Sequence, residues 1–161
     1  DLALWVQDFP RPVSAKAYAY SKLGPQERGL GTWGIPEPIG RFDVEDLVVA
    51  LVELENGGVM SIQLSWALYT IEDTFNCILS GEKAGASVRP PKIFTETSGK
   101  WTETSFQCPQ VDPYLKEIQH FVDCITESKE PMPRPEQGLV VMKVIDAIYK
   151  SASTHKEVPV Q

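Results

Sequence analysis

The sequence predicts an α+β domain built on an open, mostly antiparallel sheet of about six or seven strands, with helices packed on one face. Three observations lead there. Period-two patterning runs in pieces from Val13 to Gln107, Asn56-Gly57 separates two strand-like runs, and long stretches of helical spacing come only after Asp112.

The elements follow in order. Leu2, Leu4, Trp5 and Val6 fit the tail of a buried helix that stops before Pro10 and Pro12, because proline lacks an amide donor and disfavours a helical residue before it. From Val13 to Lys22, small residues alternate with Lys16, Tyr18, Tyr20 and Lys22, which reads as a strand. Glycines and prolines between Gly24 and Gly40 disfavour regular structure, and a loop this long inside a compact domain is usually functional or mobile. Asp46–Glu55 and Val59–Leu68 form a hairpin whose Asn56-Gly57 turn predicts type I′ geometry, with positive φ at both positions. Both faces of the first arm are apolar (Val48, Ala50, Val52 and Leu54 against Leu47, Val49 and Leu51), so this strand is expected to be central and covered on two sides. In the second arm Met60, Ile62, Leu64, Trp66 and Leu68 share one face, which assigns Trp66 to the core.

A strand at Thr74–Ser80 and shorter edge pieces at Ser87–Val88, Lys92–Glu96 and Lys100–Gln107 complete the sheet. Asp112-Pro113 then supplies an N-cap carboxylate followed by proline at the first helical position. Tyr114, Leu115, Ile118, Phe121, Val122 and Ile125 make the inward stripe of this helix. A second helix from Pro135-Glu136 turns Leu139, Met142, Ile145, Ile148 and Tyr149 inward. With Ile118 and Ile145 buried, truncating either to Ala is expected to cost about 2–5 kcal/mol. The doubly apolar strand asks for cover that the helices do not supply, and an identical sheet from a second copy meets that need.

Composition narrows the function. The chain has 161 residues, 42% of them hydrophobic, with 15 basic and 22 acidic side chains for a net charge of −7. A chain of this size buries roughly 70% of its unfolded surface, enough for a core without disulfides or structural metal. Without clustered Lys or Arg it has no stripe to follow a phosphate backbone. Its longest apolar run, Leu47–Val52, falls far short of the roughly 20 residues that cross a bilayer. Cys77, Cys108 and Cys124 form neither a C-x-x-C pair nor an even disulfide set, so they read as reduced, buried thiols of a cytoplasmic protein.

Catalytic motifs are sparse. His120 and His155 have no histidine partner at metal-ligand spacing, no serine lies in G-x-S-x-G, and no glycine-rich phosphate cradle precedes a helix. Asp43 and Glu45 would lie about 6.6 Å apart on one face of an extended chain, near the spacing of an inverting glycosidase pair. Both project to the same side, whereas such a pair must flank a sugar bond, so solvated charges are the simpler reading. Tyr69 to Asp73 is the better candidate for ligand contact. It joins two strands and combines an aromatic ring with two carboxylates that accept hydroxyl hydrogen bonds. Arg41 and Trp33 lie in the long loop and stay open between substrate contact and structure. The substrate-binding candidates are therefore Arg41, Tyr69, Glu72 and Asp73.

Several fragments occur in a telling order: Asp1-Leu-Ala-Leu-Trp5, Phe9-Pro10-Arg11-Pro12-Val13, Phe42-Asp43-Val44-Glu45-Asp46-Leu47, Leu54-Glu55-Asn56-Gly57-Gly58, Ser65-Trp66-Ala67, Glu72-Asp73-Thr74-Phe75, Gly81-Glu82-Lys83-Ala84-Gly85 and Pro135-Glu136-Gln137-Gly138-Leu139. Across all 161 residues the chain resembles the C-terminal domain of the Gfo/Idh/MocA oxidoreductases, the glucose-fructose oxidoreductase and inositol dehydrogenase type. The resemblance implies a glyceraldehyde-3-phosphate dehydrogenase-like C-terminal domain over residues 1–161 that binds substrate and forms oligomers. It further implies an N-terminal Rossmann domain, outside this chain, that binds NAD or NADP and carries the catalytic lysine. Asp1 matches the last position of the family pattern D-x-G-x-H-x-x-D, so the resemblance places no catalytic or cofactor-binding residue in this chain. The implied activity is NAD(P)-dependent oxidation of a sugar or polyol hydroxyl, with the fragment alone inactive. A homodimer or tetramer through the open sheet face, a cytoplasmic location, and no nucleic-acid or membrane partner complete the expectation. Two alternatives stay open: a sheet-based dimerisation or ligand-binding module without redox chemistry, and an NAD-dependent glycosidase of the same fold. The segment Tyr69–Asp73 departs from the Tyr-Gly-Tyr-Asp of inositol dehydrogenases, which points away from inositol.

Overall fold

A computed structural model describes residues 1–26, 28, 42–70, 72 and 74–161. It divides into two compact units, one of residues 1, 3–71 and 135–161, the other of residues 2 and 72–134. The α+β class and the antiparallel pairing are as expected. The strands number eight among the described residues, in two four-stranded sheets.

In the first unit a short helix α1 (Leu2–Trp5) leads to β1 (Pro12–Tyr20), a 3-10 turn (Gly24–Gln26), and the hairpin β2 (Leu47–Leu54) and β3 (Val59–Ser65). The long helix α3 (Pro135–Thr154) and the two-residue strand β8 (Val158–Pro159) close the unit, and the sheet order is β3-β2-β1-β8. The period-two reading of β1 and β2 translates into packing. Val48, Ala50, Val52 and Leu54 join Ala15, Ala17 and Met60 on the buried face, where Val144, Ala147 and Ile148 of α3 complete the core. Small residues on β1 let the helix approach the sheet, and α3 packs along that strand.

The hairpin forms where Asn56-Gly57 predicts it, with a different turn. Gly57 alone has positive φ (+81°), and its N–H donates to Leu54 C=O at 2.9 Å while Leu54 N–H donates to Gly58 C=O at 2.8 Å. That is a three-residue loop, a type I turn followed by a left-handed glycine, instead of type I′. Asn56 is freed from positive φ, and its Oδ1 accepts the Gly58 N–H at 2.9 Å.

The inward face of α3 also differs from the expected stripe. Val144, Ala147, Ile148 and Ser151 are buried, while Leu139, Met142, Ile145 and Tyr149 are exposed. Apolar residues lie around much of this helix, and close packing against the small side chains of β1 favours the face carrying Ala147 and Ser151.

The second unit holds β4 (Ile78–Ser80), β5 (Ala84–Ser87), β6 (Lys92–Thr97), β7 (Lys100–Ser105) and helix α2 (Pro113–Thr126), with sheet order β4-β5-β6-β7. The strand expected at Thr74–Ser80 shortens to its last three residues. The pieces expected as edges include β5 and β6, which are interior. Asp112 caps α2 as predicted, accepting the Tyr114 and Leu115 amides at 3.0 and 3.2 Å. The helix nevertheless buries none of its residues. Amphipathic spacing marks a face that can pack, and here the expected burial of Ile118 gives way to 62% exposure.

Candidate functional site

The first unit gathers side chains where β1 ends, β2 begins and β3 runs out. Its organiser is Asp46, 3% exposed, one residue before β2. The Asp46 N–H donates to Tyr20 C=O at 2.7 Å, and its own C=O accepts the Ser65 hydroxyl at 2.7 Å. Its Oδ2 accepts three consecutive amides, from Lys22 and Leu23 at 2.6 Å each and from Gly24 at 3.1 Å. Burial acts to raise the carboxyl pKa, but the amides of Gly24, Leu23 and Lys22 outweigh it and hold the pKa below the ordinary value of 3.8.

The turn held in this way rests on aromatic rings. Trp66 and Phe42 stack with centroids 5.8 Å apart and planes 9° from parallel. A Cβ on Gly24 would stand 3.0 Å from atoms of both rings, so only glycine closes the turn against them without displacement. Trp66 is 43% exposed, a correction to its assignment to the core: its Nε1–H needs a polar partner and donates to Glu45 C=O at 2.6 Å. The Glu45 carboxylate accepts the Tyr149 hydroxyl with both oxygens, at 2.8 and 2.9 Å. That hydrogen bond first, and then burial and the negative charge, raise the Tyr149 pKa above 10.0. Downstream of the turn, Arg28 N–H donates to Leu23 C=O at 3.0 Å. Its guanidinium stands over the Tyr69 ring, 5.9 Å from the centroid, and donates to Gln26 Oε1 at 3.3 Å.

Of the four residues expected to contact substrate, Tyr69 lies in the first unit, exposed and paired with Arg28, and Glu72 is exposed at the start of the second unit. Arg41 and Asp73 lie outside the described residues, as does Trp33. Asp43 and Glu45 form no paired acid and base, since Glu45 is engaged by Tyr149. Arg28, Phe42 and Tyr149 join the site without having been among the residues expected there. Tyr149 and Glu45 are 104 positions apart, and no local pattern connects them. Arg28 carried a weak signal as a charged residue within a glycine-rich loop.

In chemical terms, phenol, guanidinium and carboxylate offer hydrogen bonds to hydroxyl groups beside aromatic surface. All strand pairings among the described residues are antiparallel, so these residues contain no βαβ unit to cradle a dinucleotide phosphate. Among the described residues no group of three His, Cys, Asp or Glu could hold a metal ion, and no helix is long and apolar enough to cross a membrane. The three cysteines are free, and none is fully buried as expected: Cys108 is exposed, Cys77 and Cys124 half-buried.

Residues 4–160 match the family profile described as the oxidoreductase family, C-terminal alpha/beta domain. The chain belongs to the Gfo/Idh/MocA oxidoreductase family. Among curated relatives in this family, the D-glucoside 3-dehydrogenase of Escherichia coli (strain K12) is 29% identical over 156 residues, which is 96% of this chain and 44% of the relative. The chain thus spans less than half the length of that protein. Aldose-aldose oxidoreductase from Caulobacter crescentus, solved with glycerol, superimposes with a TM-score of 0.72 at 16% identity, covering 98% of this chain and 43% of that one. An oxidoreductase domain protein from Kribbella flavida gives a TM-score of 0.76 at 14% identity over 99% of this chain and 48% of its own. Levoglucosan dehydrogenase in complex with NADH gives 0.71 at 17% identity over 94% and 45%. At these identities the solved structures establish the shared fold of the Gfo/Idh/MocA C-terminal domain.

Proposed function

We propose that these 161 residues are the substrate-binding and oligomerisation domain of an NAD(P)-dependent oxidoreductase acting on a sugar or polyol hydroxyl. The observation that carries this reading is the 29% identity to D-glucoside 3-dehydrogenase across 96% of the chain. On this reading NAD or NADP binds a Rossmann domain beyond this chain, which also carries the catalytic groups, and the described residues, whose strand pairings are all antiparallel, offer no βαβ cradle for it. This chain's own contribution is to bind and orient hydroxyls. Tyr69, Glu72, Arg41 and Asp73 are its proposed contacts, all assigned from sequence. A phenol both donates and accepts and a carboxylate accepts, which suits the alternating donors and acceptors of a polyol.

The oligomer reading rests on the second face of the first sheet. Tyr18, Tyr20, Val49, Leu51 and Val59 are exposed there, opposite the face that α3 covers. A second copy with the same face would cover them, in a homodimer or tetramer. Three free thiols support a reducing compartment, the cytoplasm.

The experiment is to express the chain within its full-length protein and measure the reduction of NAD+ and of NADP+ by methyl β-D-glucoside, D-glucose and glycerol. Sugar-dependent reduction is the expected result. Release of the aryl group from an aryl glycoside without net cofactor reduction would overturn the dehydrogenase reading in favour of glycoside cleavage, and the absence of both activities would leave a non-redox binding module.

A further inference from the structure

We propose that Asp46 is a positioning residue for ligand recognition: its buried carboxylate gathers the amides of Lys22, Leu23 and Gly24 and thereby sets the Arg28 guanidinium over the Tyr69 ring as a fixed polyol-binding pair. The proposal rests on the sugar-binding reading of Tyr69 and adds Arg28 and Asp46 to that site.

The connection runs through contacts of the first unit. An isolated buried carboxylate is costly, and this one is stabilised by three N–H groups that all belong to one turn. Those bonds fix the backbone at Lys22–Gly24, and Gly24 lies close to Trp66 and Phe42, so the turn is held from two sides. Leu23 then accepts the Arg28 N–H at 3.0 Å, which brings the base of the arginine to a set place. Tyr69 is placed independently, by the chain leaving β3 beyond Trp66 and the buried Ala67. Asp46 reaches that side as well, because its carbonyl accepts the Ser65 hydroxyl. One residue therefore ties the turn before Arg28 to the strand end before Tyr69. A guanidinium held in place offers several N–H donors in fixed directions to adjacent hydroxyls, whereas a free arginine must be ordered at each binding event.

The test uses the full 161-residue chain, isotope-labelled, as wild type and as Asp46→Asn, with methyl β-D-glucoside as probe. In the wild type, nuclear Overhauser contacts join the Arg28 side chain to the Tyr69 ring, and the glucoside shifts the resonances of both residues. In Asp46→Asn those contacts disappear and glucoside affinity falls about tenfold, the scale of one well-placed hydrogen bond, while the amides of Val48–Leu54 keep their positions. A simple loss of fold would move the strand amides too. If Asp46→Asn does not fold, Gly24→Ala disturbs the same turn from the side of Trp66 and Phe42 and is read in the same way. Arg28–Tyr69 contacts and glucoside affinity that survive the substitution would overturn the positioning role. A wild-type chain that ignores the glucoside would instead overturn the sugar reading, leaving the ligand-free contacts to judge the role of Asp46.

Discussion

The Ser151 hydroxyl accepts the Ala17 amide at 2.8 Å and donates to the Lys156 carbonyl at 2.6 Å, joining helix α3, strand β1 and the C-terminal turn through one buried oxygen. Strand β8 pairs with β1 only at Ser14 and Ala15, so on the side away from β2 no strand continues alongside Ala17, and Ser151 takes the place of the missing ladder partner there. Ser151→Ala leaves a donor and an acceptor unsatisfied inside the protein and should cost about 1–3 kcal/mol. Urea denaturation should show a lower midpoint with an unchanged slope.

Asp46 makes stability depend on acidity. Its folded-state pKa lies below 3.8, so its contribution is fully present above that value and is lost as pH falls through the lower, folded-state pKa. Asp46→Ala should cost on the order of 3 kcal/mol at neutral pH, the scale of charge-assisted hydrogen bonds. Denaturation midpoints measured on the acid side should fall less steeply for the variant than for the wild type.

Tyr149 produces the opposite slope. Its folded-state pKa is raised above 10.0, so the stabilising contribution is complete below pH 10.0 and disappears as pH rises through the folded-state value. Tyr149→Phe should cost at most about 1 kcal/mol at neutral pH, because the pair is partly exposed and screened by solvent. The alkaline loss of stability should be shallower in the variant. Absorbance titration should find one fewer late-ionising phenol.

The hairpin, the Asp112 cap and the alternation in β1 and β2 were legible because each depends on neighbours in sequence. Asn56-Gly57 specifies a turn through local φ preferences, and Asp112 reaches amides only two and three residues away. What escaped depends on residues far apart. Asp46 and Lys22–Gly24 are separated by more than twenty positions, Glu45 and Tyr149 by 104. A carboxylate that charge and hydropathy mark as solvated becomes a buried organiser only once the fold brings amides to it. The inward face of α3 differs from the expected stripe for a related reason: Leu139 and Val144 are both apolar, and the small side chains of β1 decide which one is buried.

That distinction gives a direct contrast in stability. Leu54, 2% exposed on the packed face of β2, should lose about 2–5 kcal/mol on truncation to Ala. Ile118→Ala, at an exposed position of α2, should stay within about 0.5 kcal/mol. Parallel denaturant titrations would separate the two, and a large loss at Ile118 would mean that its helix face is covered in solution.

The outer face of the first sheet yields the last prediction. Leu51 is 51% exposed on an interior strand, flanked on its own face by Lys16 and Ser61 and followed along β2 by Val49 and Glu53. An interior strand keeps its backbone hydrogen bonds whatever its outward side chains are, so Leu51→Lys should leave the fold within about 0.5 kcal/mol of wild type. The same change places a further charge at the centre of the outer face that a second copy would cover. Each protomer of a symmetric pair carries the substitution, so two buried charges must be desolvated for one mutation in the gene. Sedimentation equilibrium at micromolar concentration should therefore find an oligomer for the wild type and a single chain for Leu51→Lys, with thermal unfolding of the separated chain still cooperative. A wild-type mass equal to one chain would remove the second copy from this face.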